Sequence, residues 1–522
     1  MDFSSLRNTF VSNGIGKIDG GVTIPMCFSE IPVSSLSSNA NRLNSSWIRA
    51  QYIIVKDAIP SSHRKSILSY WENNRSRGSI KENQYLVIHI KDDVSDDWEW
   101  YNYNGDLMGH LKELLEAISK PQIKYESNIS KYLAAIRTKP FILLAGISGT
   151  GKSRIVRKLA QATITEDLQR IYDPESIKNG FRRWEIHKPA NFELIQVKPN
   201  WHNSMEVVGY KSNIGGSHYE FTPFVEFLAR AWQHQNIPFF LCLDEMNLAP
   251  VEQYFAEFLS AIESRTEENG EYMTDPIVKP FVDFDTKDAK GETIDYLSDR
   301  MIAHLLGALD TTDKSNLANR FKNKGLTLPK NLIIMGTVNM DETTFSFSRK
   351  VLDRAMSIEM NEVNYESFFK GETEYDIVEL DKTEKDYLIN RPIKGLKAGK
   401  KGADTQIEII NAVKNYLMAV NKVLDETPFK LGYRAANEAL LYLSAADFFG
   451  YDNYNCALDE FTLMKILSRI EGDKRSLVTK ANEPLLNALK EVITEDKFPE
   501  SNKKIKTMIA SLDNKQFVSY WT

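Results

Sequence analysis

The chain has 522 residues, a length typical of about three domains. Its 42% hydrophobic and 26% charged residues are ordinary for a globular protein, and its net charge of -6 excludes binding of polyanions through overall positive charge. The three cysteines, Cys27, Cys242 and Cys456, are too far apart in sequence for a disulfide framework. No apolar run is long enough to span a bilayer, and the first residues do not resemble a secretion signal. We therefore expect a cytoplasmic protein that does not enter a membrane.

The first 120 residues are predicted to form a small α+β domain. β-branched runs favour strands at 52–55 and 85–90, and apolar spacing favours helices at 61–71 and 107–118. The acidic and aromatic stretch 92–103 is interpreted as a solvent-exposed turn leading into a strand. The alternative, an aromatic surface that stacks nucleic-acid bases, is weaker because five acids would repel a phosphate backbone.

Residues 123–362 are predicted to form an α/β domain, since short apolar strands alternate there with amphipathic helices. The segment 270–329 is too long for a simple connection and contains a helical stretch, which indicates an inserted subdomain. Residues 363–522 carry no further strand signal and are predicted to be helical. The predicted strands are 141–145, 194–197, 239–243 and 332–335, and the predicted helices include 154–162, 252–264, 296–309, 405–424, 435–449, 458–470 and 484–493.

The strongest motif is Gly-Ile-Ser-Gly-Thr-Gly-Lys-Ser at 146–153, which matches G-x-x-x-x-G-K-[ST] between a predicted strand and a predicted helix. The glycines let backbone N–H groups surround phosphates at a helix N-terminus. Lys152 supplies positive charge to the β- and γ-phosphates, and Ser153 offers its hydroxyl to Mg²⁺. The predicted nucleotide-binding residues of this loop are Gly146, Ile147, Ser148, Gly149, Thr150, Gly151, Lys152 and Ser153.

Polar side chains follow two further predicted strands. Asp244 and Glu245 end the strand 239–243, and Asn339 ends the strand that begins at 332. Ligands bind at the carboxyl ends of parallel strands. We expect Asp244 to hold Mg²⁺, Glu245 to deprotonate the attacking water, and Asn339 to hydrogen-bond the water and a γ-phosphate oxygen.

Two arginines, Arg349 and Arg354, follow shortly after Asn339. An arginine from one subunit can stabilise the charge that develops on the nucleotide of a neighbouring subunit. Either arginine is a candidate for that catalytic role. The alternative is a surface ion pair, for instance between Arg354 and a nearby acid.

These four elements, in this order, resemble those of the AAA+ ring ATPases. Asp-Glu-Met-Asn-Leu-Ala-Pro at 244–250 resembles a box shared by MoxR-type proteins, midasin and the McrB family. Met-Gly-Thr-Val-Asn-Met-Asp at 335–341, followed by the arginine pair, is most similar to McrB, the GTP-hydrolysing motor subunit of modification-dependent restriction systems. Phe-Lys-Leu-Gly-Tyr-Arg at 429–434 resembles the opening of the lid helix, where a sensor-type arginine contacts nucleotide. The resemblance covers about 123–522.

The resemblance implies an AAA+ P-loop core with a helical C-terminal lid, preceded by a DNA-recognition domain at 1–120. It implies GTP, or else ATP, with Mg²⁺ as cofactors, and it assigns Arg434 to nucleotide binding. It further implies a homo-oligomeric ring, a hexamer in this family, that translocates DNA, with methylated DNA as the expected target. No nuclease motif stands out in the chain, so a separate McrC-like nuclease subunit is the expected partner.

Two other functions remain open at this stage. A MoxR-like chaperone that remodels protein complexes shares the 244–250 box, although such proteins are usually shorter. A binding module that uses the nucleotide only as a slow assembly switch is the third alternative. The presence of both Glu245 and Asn339 argues against it, because a switch does not need a positioned base and amide.

Overall fold

The computed structural model describes residues 50–55, 84–90, 96–102, 129–268, 271–340, 347–361, 377–395, 403–451 and 453–521, and the isolated positions 363, 365 and 369. The chain divides into two compact units, Met1–Lys124 and Tyr125–Thr522. The helices predicted at 61–71 and 107–118 lie outside the described residues. No helix within the described ranges has both the length and the apolar character needed to cross a bilayer.

The described part of the first unit is a three-stranded antiparallel sheet in the order β1-β2-β3. Its strands are β1 (Ala50–Val55), β2 (Gln84–Ile90) and β3 (Asp96–Asn102). Both predicted strands are present, and Ile54 pairs with Leu86. The acidic and aromatic stretch supplies β3 from residue 96 onward, where Val87 pairs with Glu99. The turn predicted before it lies outside the described residues.

The second unit begins with alternating helices and strands, as the sequence predicts. From 129 to 263 these are α1 (Ile129–Thr138), β4 (Phe141–Gly146), α2 (Lys152–Thr163), α3 (Glu166–Tyr172), β5 (Phe192–Gln196), α4 (Met205–Val208), β6 (Tyr210–Ser212), β7 (His218–Glu220), α5 (Pro223–Gln233), β8 (Phe239–Asp244), α6 (Val251–Tyr254) and α7 (Ala256–Glu263). Short 3-10 helices occupy Pro174–Ile177, Arg183–Glu185 and Met246–Leu248. The single helix predicted at 252–264 is divided at Phe255, whose backbone leaves the helical region.

The inserted segment consists of short antiparallel strand pairs and two helices, and the chain then returns to the main sheet. Its elements are β9 (Thr266–Glu268), β10 (Glu271–Met273), β11 (Pro276–Val278), a 3-10 helix (Phe281–Phe284), β12 (Thr286–Lys287), β13 (Thr293–Asp295), α8 (Leu297–Leu306), α9 (Thr312–Lys324) and β14 (Leu326–Thr327). They are followed by β15 (Leu332–Asn339), α10 (Arg349–Leu352) and β16 (Met356–Glu359).

The central sheet has five parallel strands in the order β16-β4-β15-β8-β5. Strands β4 and β15 are buried along their whole length, as expected for a sheet covered on both faces. The register pairs Asn339 with Gly146, and Gly336 with Leu243. The carboxyl ends of β4, β8 and β15 therefore meet at one edge of the sheet, which we call the P-loop edge.

The C-terminal part is mainly helical, but it also contains two short strands that the sequence prediction missed. Its elements are α11 (Lys382–Ile389), α12 (Ala403–Val423), α13 (Tyr433–Phe448), α14 (Tyr454–Phe461), a π turn (Thr462–Ile466), a 3-10 helix (Leu467–Arg469), β17 (Glu471–Asp473), α15 (Leu485–Val492), α16 (Pro499–Lys515) and β18 (Phe517–Ser519). Strands β17 and β18 pair antiparallel. At three residues each, they are too short to give a periodic signal.

The two faces of the central sheet belong to two different hydrophobic cores. Along β4, Ile142 and Leu144 face a core shared with α1, α2 and the C-terminal helices. Phe141 and Leu143 face the other core, built from α5, α7 and the inserted helices. This alternation follows from the two-residue period of a strand.

A buried ionic cluster joins α13 to the loop before β16. Glu438, on α13, accepts from Lys139 at 2.6 Å and from Lys465 at 3.1 Å, and all three side chains are at most 6% exposed. The Lys465 ammonium also donates to the carbonyls of Leu352 and Ala355 at 3.0 and 2.8 Å. Burial, reinforced by the Lys465 charge, lowers the pKa of Lys139 to about 7. Burial opposes ionisation of Glu438, but the two lysines together hold its pKa below the usual value.

We expect Glu438→Ala to lower the free energy of unfolding of this unit by about 3–5 kcal/mol, because two buried lysines lose their carboxylate. Glu426→Ala is the control, since Glu426 pairs with Lys480 where both side chains are 61% exposed. Urea unfolding followed by tryptophan fluorescence measures both variants. Equal midpoints for the two variants would contradict a structural role for the cluster.

Candidate nucleotide site

The phosphate-binding motif forms a loop between β4 and α2. Gly146 ends β4, and a Cβ atom there would lie 2.3 Å from the Met360 carbonyl oxygen, so only glycine fits. Gly149 and Gly151 have φ of 86° and 80°, in the left-handed region that favours glycine. Gly151 is the N-cap of α2 and no side chain caps this helix. The first N–H groups of α2 are therefore available to an anion.

Side chains hydrogen-bond the loop backbone, among them Thr150, whose hydroxyl donates to the Ile147 carbonyl at 3.0 Å. The Lys152 ammonium donates to the Gly146 and Ile147 carbonyls at 2.9 and 2.6 Å. The Ile147 N–H donates to Asn361 Oδ1 at 3.0 Å. Both the lysine and one loop N–H are thus engaged by the protein itself, so phosphate binding would exchange these hydrogen bonds rather than start from unpaired groups.

The polar residues at the ends of β8 and β15 form a continuous hydrogen-bonded chain. The Thr337 hydroxyl donates to Asp244 Oδ1 at 2.7 Å and accepts from the Glu245 N–H at 2.9 Å. The Asn339 amide donates to Glu245 Oε1 at 3.3 Å. Asn247 in turn donates to the Asn339 carbonyl at 3.3 Å. The three predicted residues, Asp244, Glu245 and Asn339, are therefore brought together at the P-loop edge.

The backbone at Glu245 is unusual. Its φ of 54° lies in the left-handed region, which non-glycine residues adopt rarely and at a cost of about 1–3 kcal/mol. The hydrogen bond from its N–H to Thr337 stabilises this conformation. Gly336 also contributes, because a Cβ atom there would lie 2.4 Å from Met246 Sδ in the following turn. The turn that carries Glu245 is therefore fixed by the neighbouring strand.

The donor set suits a nucleotide with Mg²⁺. The Asp244 carboxylate and the Ser153 hydroxyl are hard oxygen ligands of the kind that Mg²⁺ prefers. Thr337 donates a hydrogen bond to Oδ1 of Asp244, while no described residue donates one to Oδ2. Together with the uncapped start of α2, these residues fit the predicted cofactor. Ser153 and Asp244 would hold the metal ion, and the loop would hold the phosphates.

The arginines lie elsewhere. Arg354 precedes β16, whose first residue, Met356, pairs with Ile142 near the start of β4. Arg354 therefore lies at the opposite edge of the sheet. The two edges are separated by about six residues of β4, or about 20 Å. Its guanidinium donates to Glu263, the last residue of α7, at 2.7 Å. The surface ion pair that the sequence left open is thus present in the single chain.

Arg434 binds the same carboxylate as Arg354. Its Nη1 lies 2.7 Å from Glu263 Oε1, and the two arginines lower the pKa of Glu263, chiefly through the hydrogen bond from Arg354. The structure therefore does not bring Arg434 to the P-loop of its own chain. Arg349 lies over the Phe429 ring at 4.6 Å and donates to the Pro428 carbonyl at 3.4 Å.

Three residues that contact the P-loop edge or the arginines were not predicted from the sequence. Thr337 lies two positions before Asn339 on the same strand, so the two-residue period of a strand puts both on one face and could have revealed it. Asn361 follows β16 and Glu263 ends α7, and no local pattern in the sequence marks either one. Their partners come from strands and helices more than 90 residues away.

Comparison with known proteins gives a family match over part of the chain and a similarity to solved structures. A family model described as "Domain of unknown function (DUF8727)" matches residues 382–517, from α11 to the start of β18. The chain has no match among curated proteins. A crystal structure of a presumed ATPase from Cytophaga hutchinsonii is similar over 68% of this chain and 86% of that chain, with 14% identity and a TM-score of 0.36. The family match contains Arg434 and Glu438 but none of the residues at the P-loop edge.

Proposed function

We propose that the chain is an AAA+ nucleoside triphosphatase of the McrB type. The observation that carries this proposal is the hydrogen-bonded chain from Asp244 through Thr337 and Glu245 to Asn339, at the same sheet edge as the P-loop. It combines oxygen ligands for a metal ion, a carboxylate base and an amide donor beside a phosphate-binding loop. That combination serves hydrolysis better than mere binding.

In the proposed reaction, bound Mg²⁺ would neutralise charge on the β- and γ-phosphates. Glu245 orients the attacking water and accepts its proton. Asn339 hydrogen-bonds Glu245 Oε1 and keeps the carboxylate turned toward the site. Thr337 fixes both Asp244 and the Glu245 backbone, so it acts as a positioning residue. Lys152 releases the loop carbonyls and turns to the phosphates.

Catalysis by arginine then requires a second chain. Arg354 and Arg434 meet at Glu263, about 20 Å along the sheet from their own P-loop, which is beyond the reach of an arginine side chain. If they act on a nucleotide, it is one held by a neighbouring subunit. This supports a ring in which each site lies between two chains, and a hexamer is the form that the family resemblance favours.

The finer parts of the proposal are guanine preference, DNA translocation and recruitment of an McrC-like nuclease. They rest on the resemblance of the 244–250 and 335–341 motifs to McrB. The second candidate function is a MoxR-like chaperone, because it shares the 244–250 box and would use the same P-loop edge. DNA-dependent turnover separates the two.

We expect Glu245→Gln to retain nucleotide binding and to lower turnover by roughly two or more orders of magnitude, as loss of a positioned base does. Thr337→Val should also lower turnover, because Asp244 and the Glu245 N–H lose their partner. Thr337→Ser is the matched control and should recover most of the rate, since it restores the hydroxyl. Steady-state phosphate release and fluorescent-nucleotide titration measure these effects. A Glu245→Gln chain with the wild-type rate would show that the base is assigned wrongly.

Arg354→Ala should lose most turnover while nucleotide affinity stays within several-fold, because such an arginine acts mainly on the transition state. Mixing Arg354→Ala with Glu245→Gln chains should restore activity, since some interfaces then combine an intact arginine with an intact base. Arg349→Ala is the control. Mixing it with Glu245→Gln chains should give no such gain in activity, because Arg349 contacts Phe429 rather than Glu263. Stable mixed rings without any recovery would place Arg354 outside the reaction.

Duplex DNA should raise the rate of GTP hydrolysis several-fold, and methylated duplex should do so at lower concentration than unmodified duplex. The measurement is phosphate release at fixed salt, because contacts to phosphates depend strongly on ionic strength. ATP serves as the comparison nucleotide. Rates that are unchanged by every duplex would favour the chaperone function.

A further inference from the structure

A large cavity lies far from the P-loop edge. It has a volume of about 940 Å³ and is lined by the end of α5, by α9, by Lys330 and by residues 389–393. Lys330 precedes β15 by two residues, whereas Asn339 ends that strand, so the cavity and the nucleotide site are separated by roughly 25 Å of strand. Its volume is within the range of sites that bind small molecules.

Cations predominate in the lining. Lys314, Arg320, Lys330 and Arg391 face the cavity together with only two acids, Glu267 and Asp313. Lys314 pairs with Asp310 at 3.1 Å.

Lys330 and Arg391 both donate hydrogen bonds to uncharged acceptors. The Lys330 ammonium donates to the Asn390 side-chain oxygen at 3.0 Å. Arg391 donates to the Lys330 carbonyl, to the Leu332 carbonyl at 3.0 Å and to the Leu388 carbonyl at 2.9 Å. None of these acceptors carries a charge. Burial, together with the nearby charges of Arg265 and Arg137 and against the opposing effect of Tyr272, lowers the pKa of Arg391 to about 9.

The two cations have more hydrogen-bond donors than the described acceptors can take. A guanidinium has five N–H groups and an ammonium has three. The described acceptors take three from Arg391 and one from Lys330. Two N–H groups therefore remain on each cation, with no carboxylate among the described residues paired to either. A ligand with several anionic oxygens satisfies such a set, and a phosphate group does so in bidentate fashion.

We propose that this cavity binds a small phosphorylated ligand, of nucleotide size or below, that carries at least two negative charges. Lys330 and Arg391 bind its phosphate. Arg320, whose guanidinium lies 4.4 Å over the Trp232 ring, also lines the cavity. The site is independent of the proposed hydrolysis, since no residue of the P-loop edge lines it.

The test uses the full chain with Lys152→Ala, which weakens phosphate binding at the P-loop, and sodium tripolyphosphate as the probe. Isothermal titration should show one equivalent bound per chain. Adding Lys330→Gln should weaken binding about tenfold or more, as loss of a charged partner does. This glutamine can still donate to Asn390, so the fold is preserved, and thermal melting confirms it. Lys322→Gln is the control, because Lys322 is on α9, pairs with Asp299 and does not line the cavity.

A localised readout accompanies the titration. Tripolyphosphate should protect Lys330, but not Lys322, from an amine-acylating reagent, as measured by mass spectrometry. Absence of binding, or binding that Lys330→Gln leaves unchanged, would overturn the proposal. A single-stranded oligonucleotide that binds more tightly than tripolyphosphate and depends on Lys330 would replace the small ligand by a nucleic acid.

Discussion

The parallel register of the central sheet determines where each candidate site residue lies. Because β4, β8 and β15 run in the same direction, Gly146, Asp244 and Asn339 are brought to one edge although they are far apart in sequence. The same register carries the start of β16, and Arg354 before it, to the opposite edge. Binding and acid–base groups are thus separated from the arginine by the length of a strand, about 20 Å. In the function we propose, an arginine that acts on the nucleotide therefore comes from a neighbouring chain.

Two ionic clusters near the sheet edge opposite the P-loop edge differ in strength. Glu438, Lys139 and Lys465 are almost fully buried, so breaking their contacts is costly, and they hold the backbone that precedes β16. Glu263 and its arginines are more exposed, at 32% for Glu263, 23% for Arg354 and 53% for Arg434. Exposed ion pairs contribute about 0–1 kcal/mol, so a nucleotide phosphate could compete for these guanidinium groups. The buried cluster holds the loop before β16, whereas the more exposed pairs at Glu263 contribute little to stability.

Local patterns in the sequence were enough for the P-loop, four of the five strands and the alternation of helices with strands. The fifth strand, β16, was missed because Met356–Glu359 is short and lacks flanking signals, although its apolar residues are buried. The adjacency of Asp244, Glu245 and Asn339 could be predicted because parallel strands share an edge. The ion pairs of Glu263 could not be, since they join residues from 91 to 171 positions apart and depend on tertiary packing.

In the function we propose, one chain supplies the base and another supplies the arginine. The most direct measurement is a cryo-electron microscopy structure of the assembled chain with Mg²⁺ and a non-hydrolysable GTP analogue. We expect the Arg354 guanidinium to have left Glu263 and to lie about 3 Å from a γ-phosphate oxygen held by the P-loop of the adjacent chain. An assembled, nucleotide-filled structure in which Arg354 still binds Glu263, with no arginine from a neighbour near the phosphate, would contradict it.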